Sequence, residues 1–156
     1  MKVFRIEREK YLSTTLSGIG ASMDDGNRWN SRFTRLVYTA ESRALAFLEV
    51  AVHLDLSEDL PSDRYLVEID IPDDTKVQEI RLENLPTDWK EHPPTSSTQA
   101  IGDDFVLQDA ALLLKVPSCI VPDEYNYLIN PHHADMKRIQ VCKTVAMGFD
   151  SRLNSR

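Results

Sequence analysis

The chain has 156 residues, with 18 Lys and Arg against 25 Asp and Glu for a formal charge of -7, and 42% of its positions are hydrophobic. A chain of this length buries roughly two thirds of the surface it exposes when unfolded, which supports one core without disulfide or metal staples and leaves no room for a second full domain. The acidic balance and the absence of any Lys or Arg cluster argue against a surface that follows phosphate backbones or anionic lipid, so no direct contact with nucleic acid or membrane is expected.

Residues 1–8 alternate charged and apolar side chains, the pattern of an opening strand through Val3, Phe4 and Ile6, and they lack the apolar run of a signal sequence. Residues 11–16 read as a short helix or an irregular lead-in. Residues 17–30, rich in Gly, Asp, Asn and Ser, form a loop long enough to suggest a functional role. Leu36, Val37 and Tyr38 make a brief buried strand. Thr39 then suits an N-cap, since its hydroxyl can satisfy a free amide of the following turn, and Glu41 suits the positive end of a helix dipole. The helix expected over about residues 40–54 is apolar on nearly every side, which places it inside the domain. Glu49 falls in its middle, on the stripe shared with Ser42, Leu45, Ala46 and His53. Its carboxylate is therefore either buried or opens into a cavity.

Residues 64–71 alternate, with Tyr65, Val67, Ile69 and Ile71 on one face, and form the clearest strand. Pro72 ends it, a short strand follows within residues 77–82, and residues 85–97 form a proline-rich surface loop. A second apolar helix begins at Gly102 or Asp103 and runs through Phe105, Val106, Ala110, Ala111, Leu113 and Leu114, ending before Pro117. Residues 116–122 read as a strand punctuated by prolines, at a sheet edge or beside a break. Residues 126–131 look turn-prone, and Ile139, Val141 and Val145 belong to a closing strand. The irregular interleaving predicts an α+β class: one domain over residues 1–156, with a mixed sheet and two buried helices.

The two cysteines, Cys119 and Cys142, are too few for a disulfide framework, lack the spacing of a zinc site, and are expected to be reduced and packed. No stretch approaches the roughly 20 apolar residues of a membrane span. A reducing cytoplasm is the expected compartment. His132 and His133 lack a third spaced ligand, and Asp24-Asp25-Gly26-Asn27 lacks the remaining ligands of a calcium loop, so no metal is expected. Gly18 and Gly20 fit neither the dinucleotide fingerprint nor the P-loop, and Ser118 lacks the glycine-flanked elbow of a hydrolase nucleophile. Taken singly, Arg28, Trp29, Tyr38 and Glu49 have structural readings: a surface ion pair, core aromatics with one satisfied polar atom, a buried salt bridge. Together, an arginine fork, aromatic faces, a carboxylate on an apolar helix and a serine in a broken strand suit a bulky phosphorylated nucleotide.

Several segments, in order and spacing, resemble the RES-domain family, named for its Arg, Glu and Ser, the toxin halves of bacterial toxin–antitoxin pairs. They are Gly26-Asn27-Arg28-Trp29-Asn30, Val37-Tyr38-Thr39-Ala40-Glu41-Ser42, Leu48-Glu49-Val50 with His53-Leu54, and Leu85-Pro86 with Asp88-Trp89. They continue in Gln99-Ala100-Ile101-Gly102-Asp103, Val116-Pro117-Ser118, Asn126-Tyr127-Leu128-Ile129-Asn130-Pro131-His132 and Phe149-Asp150-Ser151-Arg152-Leu153. One departure follows Trp29-Asn30, where the family usually shows a glycine and, two residues later, a proline; this chain has Phe33 and Arg35.

The resemblance implies a fold similar to the ADP-ribosyltransferase toxins and cleavage of the N-glycosidic bond of NAD+, with water or inorganic phosphate as acceptor and no bound cofactor. It implies that Arg28, Tyr38, Glu49 and Ser118 carry the activity, with Trp29, Asn126, Asn130 and His132 as further substrate-binding candidates. It also implies an Xre-type helix-turn-helix antitoxin, which would make the DNA contacts, and a homodimer within a larger toxin–antitoxin assembly. Two other readings stand beside it: a protein ADP-ribosyltransferase, and a non-catalytic module that binds a nucleotide or peptide.

Overall fold

The computed structural model describes residues 1–55 and 60–154. Its strands are β1 (Lys2–Arg8), β2 (Val37–Ala40), β3 (Arg64–Asp70), β4 (Val77–Glu79), β5 (Leu113–Pro117), β6 (Tyr125–Ile129) and β7 (Gln140–Met147). They form one seven-stranded sheet in the order β4-β5-β6-β2-β1-β3-β7. Only β4 and β5 run parallel, so the sheet is mixed as expected. The α-helices are α1 (Ile19–Ser22), α2 (Arg43–Ala51) and α3 (Ser96–Gln108).

Strand alternation decides which side chains meet. Val3, Val37, Val67, Ile69, Leu113 and Ile129 gather in a buried cluster on one face, joined by Leu12, Leu16 and Met136 from the 3-10 turns Glu9–Thr14 and Ala134–Arg138 and their surroundings. The opposite face carries two clusters. Phe4, Ile6 and Ala40 meet Leu45 and Ala46 of α2, while Leu114, Val116 and Leu128 meet Phe105 of α3 together with Trp29, Leu36 and Trp89. Both long helices therefore lie on the same face. Tyr38 and Asn126 emerge from that face between the two helix-covered areas, because Tyr38 pairs with Leu128 and Ala40 pairs with Asn126.

Several local expectations are corrected. Thr39 is not an N-cap: it lies within β2, and its hydroxyl donates to the Tyr127 carbonyl at 2.6 Å. The cap of α2 is Ser42, whose Oγ accepts from the Leu45 amide, and Glu41 instead accepts the Tyr125 amide at 2.8 Å. Helix α2 is shorter than expected and only half sunk, with Leu45, Ala46 and Ala51 buried but Leu48 and Val52 exposed. Helix α3 starts before Gly102, at Ser96, and stops at Gln108, so Leu113 and Leu114 belong to β5. β5 is not an edge strand, since β4 and β6 flank it, and Pro117 closes it. Residues 126–131 are mostly β6, a central strand, not a turn. Cys142 is exposed rather than packed.

Phe33 adopts φ +75° while its side chain is 81% exposed. Left-handed backbone costs an L-residue about 1–2 kcal/mol, which gives a physical reason for the glycine usual at this turn. Little packing holds Phe33 in return, beyond the Arg32 guanidinium 5.3 Å from its ring. Phe33→Gly is therefore expected to raise the melting temperature by about 2 °C in calorimetry. A fall would mean that the ring contributes more than its exposure allows.

Candidate functional site

β1 pairs with β3 along its whole length but meets β2 only at Phe4 and Ala40. Residues from both sides of that single pairing line a cleft of about 140 Å³: Phe4, Arg5 and Ile6 from β1, Tyr38, Thr39 and Ala40 from β2, with Ala46 and Glu49 of α2 and Asn126 of β6. The space suits one ring or sugar of a ligand, with the remainder lying outside it.

Glu49 reaches the cleft because it shares the inward stripe of α2 with Leu45 and Ala46, at helical spacing. Its Oε1 accepts the Asn126 amide nitrogen at 2.6 Å and the Ser118 hydroxyl at 3.3 Å. No arginine or lysine pairs with it among the described residues. Ser118, at the break after β5, is buried, and its Oγ accepts the amides of Ile120 and Val121, each at 3.1 Å. Ser118 also borders a smaller cavity of about 80 Å³ with Trp89, Lys90, Asp123, Glu124 and Tyr125.

Tyr38 presents itself to the cleft while its hydroxyl is committed elsewhere: Oη donates to Asn30 Oδ1 at 2.6 Å and accepts the Trp29 amide at 3.1 Å. Burial pushes the phenol well above its ordinary value, with Asp103 adding to the effect and the Trp29 amide opposing it, so the group stays a neutral hydroxyl. Asn30, wholly buried, holds the tyrosine while its Nδ2 donates to the carbonyls of Ala21, Ser31 and Thr34.

The other residues singled out in the sequence stand apart from the cleft. Arg28 Nη1 donates to the carbonyls of Trp89 and Glu91, tying the 85–92 segment to the loop before β2. Trp29 is 3% exposed within the cluster beneath α3. Asn130, buried at the far end of β6, donates to Asp109 Oδ1 at 2.8 Å and accepts the His132 amide at 3.0 Å. Neither Asn130 nor His132 lines the cleft.

Sequence reasoning missed Arg5. It borders the cleft, donates to the Thr15 carbonyl at 2.9 Å and Glu7 Oε2 at 2.7 Å, and its Nε is the one buried side-chain nitrogen or oxygen among the described residues with no hydrogen-bond partner. Burial lowers the guanidinium from its ordinary value, and Glu7 partly offsets this. A charged residue between Phe4 and Ile6 reads locally as the solvent side of a strand, so only the tertiary arrangement reveals it. The cleft thus combines a carboxylate anchored through one oxygen with apolar surroundings, which suits stabilisation of positive charge on a bound sugar.

A family model described as the RES domain matches residues 2–150. A Prs ADP-ribosylating toxin from Sphingobium sp. (strain YBL2) is 42% identical over 145 residues, covering 92% of this chain and 89% of the relative. Toxin Res from Photorhabdus laumondii subsp. laumondii is 38% identical over 154 residues, covering 98% of this chain and 97% of the relative. Toxin Res from Yersinia enterocolitica is 36% identical, with coverages of 98% and 99%. A chain in the crystal structure of the M. tuberculosis MbcT–MbcA toxin–antitoxin complex shares the fold, with a TM-score of 0.73 over 99% of this chain and 86% of that chain at 19% identity.

Proposed function

Because the chain belongs to the RES domain family, we propose that it is the toxin of a toxin–antitoxin pair and that it cleaves the nicotinamide–ribose bond of NAD+. The observation that carries this reading is Glu49, a carboxylate fixed at Oε1 and lining the cleft between β1, β2 and α2. Nicotinamide in NAD+ is a cationic leaving group. It departs as a neutral ring that takes the electrons of the C–N bond, so no proton need be delivered to it. The difficulty is the positive charge left on the sugar, and a carboxylate beside that sugar lowers the barrier, as in glycoside hydrolysis. Tyr38 offers its ring to the nicotinamide or ribose.

Water or phosphate then takes the ADP-ribosyl group. Transfer to a protein side chain is a second reading, favoured by the 42% identity to a relative named as ADP-ribosylating. The experiment that separates them incubates the purified chain with labelled NAD+, with and without phosphate and with bacterial protein. Free ADP-ribose, a phosphorylated product or labelled protein identifies the acceptor. NAD+ binding without nicotinamide release would instead make the domain a non-catalytic binding module. The partner in this reading is an Xre-type helix-turn-helix antitoxin that covers the cleft beside Glu49, and NAD+ consumption undiminished by saturating antitoxin would count against it.

A further inference from the structure

The reading of the cleft as an NAD+ site leaves open what Ser118 contributes. A serine hydroxyl has one hydrogen and two lone pairs. In this fold the Ile120 and Val121 amides both donate to Oγ at 3.1 Å, which occupies its acceptor capacity. The remaining hydrogen has Glu49 Oε1 as its acceptor at 3.3 Å. The residue is 4% exposed and is absent from the lining of the larger cleft. A hydroxyl so engaged has no lone pair free to attack a sugar and no hydrogen free for a substrate carboxamide or phosphate.

From this geometry we infer that Ser118 acts on the reaction through Glu49: with Asn126 it is a positioning residue that anchors Oε1 and leaves Oε2 as the oxygen presented to the sugar. The two donors come from different parts of the sheet, the turn after β5 and the strand β6, and they brace α2 from both. Oε2 accepts no hydrogen bond from the described residues, although Glu49 lines the cleft. A glutamate side chain has three rotatable bonds, so without these anchors its free oxygen would sample many placements. Misplacement of a group by about 1 Å is enough to cost about a hundredfold in rate. The loss falls on kcat because the interaction with the sugar strengthens as its charge develops, whereas binding of the rest of the dinucleotide is unaffected.

The inference rests on NAD+ cleavage by this chain, and its test uses steady-state nicotinamide release, melting temperature and crystal structures of four proteins: wild type, Ser118→Ala, Ser118→Thr and Asn126→Ala. Ser118→Ala and Asn126→Ala are expected to lower kcat about 10- to 100-fold with KM for NAD+ within about twofold of wild type. Ser118→Thr, which keeps Oγ, is expected to recover most of the rate. A tenfold rise in KM at unchanged kcat would make Ser118 a substrate ligand and overturn the inference, as would an unchanged kcat in both alanine variants. If Ser118→Ala does not fold, Asn126→Ala decides. If wild type itself releases no nicotinamide, the reaction assigned to the cleft is wrong, and the positioning role is then judged from the crystal structures. A Glu49 carboxylate displaced from its wild-type position in the alanine variants upholds that role, and an unmoved one overturns it.

Discussion

Glu49→Gln is expected to slow nicotinamide release by about a thousandfold or more while leaving the melting temperature within about 2 °C of wild type. The substitution preserves shape. The amide oxygen of glutamine can take the place of Oε1 and accept the same two hydrogen bonds, from Asn126 and Ser118. What changes is the group in the place of Oε2, where a negatively charged oxygen becomes a neutral NH2 that repels a cationic sugar. No ion pair is broken by the change, since Glu49 pairs with no basic residue among the described ones, so stability has little to lose. Chromatographic measurement of nicotinamide alongside thermal melts separates the two effects. Retained turnover in a folded variant would remove Glu49 from the mechanism.

Gly102→Ala is expected to cost about 3 kcal/mol or more of stability, a fall in melting temperature of about 10 °C. Gly102 lies in the interior of α3, where glycine is a poor helix former, so a packing reason is required. A Cβ at this position would lie 1.6 Å from the Trp29 carbonyl oxygen, 2.8 Å from its carbon and 3.1 Å from Leu36 Cδ1. Two of those atoms are backbone and cannot swing aside. α3 would have to withdraw from the loop before β2, opening the cluster of Trp29, Leu36 and Phe105. The damage reaches the cleft, because the Trp29 amide donates to the Tyr38 hydroxyl and Ser31 of the same loop is held by Asp103 of α3 at 2.6 Å. An unchanged melting temperature would show that α3 does not press on this loop as the structure has it.

The strands that alternate over a half-buried face, β1 and β3, were readable because a period of two leaves a clear trace in the order of side chains. β6 was not. Asn126, Asn130 and Pro131 resemble a turn, yet the two asparagines are satisfied by Glu49 and Asp109, partners distant in sequence, so the strand between them carries polar side chains at little cost. Leu112, Leu113 and Leu114 form an apolar run that fits helix or strand equally well, and sheet pairing with β4 and β6 decides it. The Ser and Thr residues around α3's start look like a loop but form its cap and first turn.

Within the site, Glu49 was visible as an acid on an apolar helical stripe, and the family pattern marked Ser118 and Tyr38. The conformation of Arg28 was hidden because its acceptors are backbone carbonyls 61 and 63 residues away. Arg5 was hidden for a related reason: whether a strand's charged residue faces water or a cleft depends on how its neighbours part, and β1 separates from β2 beyond one paired position.

The decisive experiment for Glu49 is a crystal structure of the slow Glu49→Gln variant with NAD+ bound. The nicotinamide ribose is expected in the cleft between β1 and β2, its anomeric carbon within about 3.5 Å of the side chain at position 49. A dinucleotide bound elsewhere, or one whose ribose is separated from position 49 by other protein atoms, would contradict that role for Glu49.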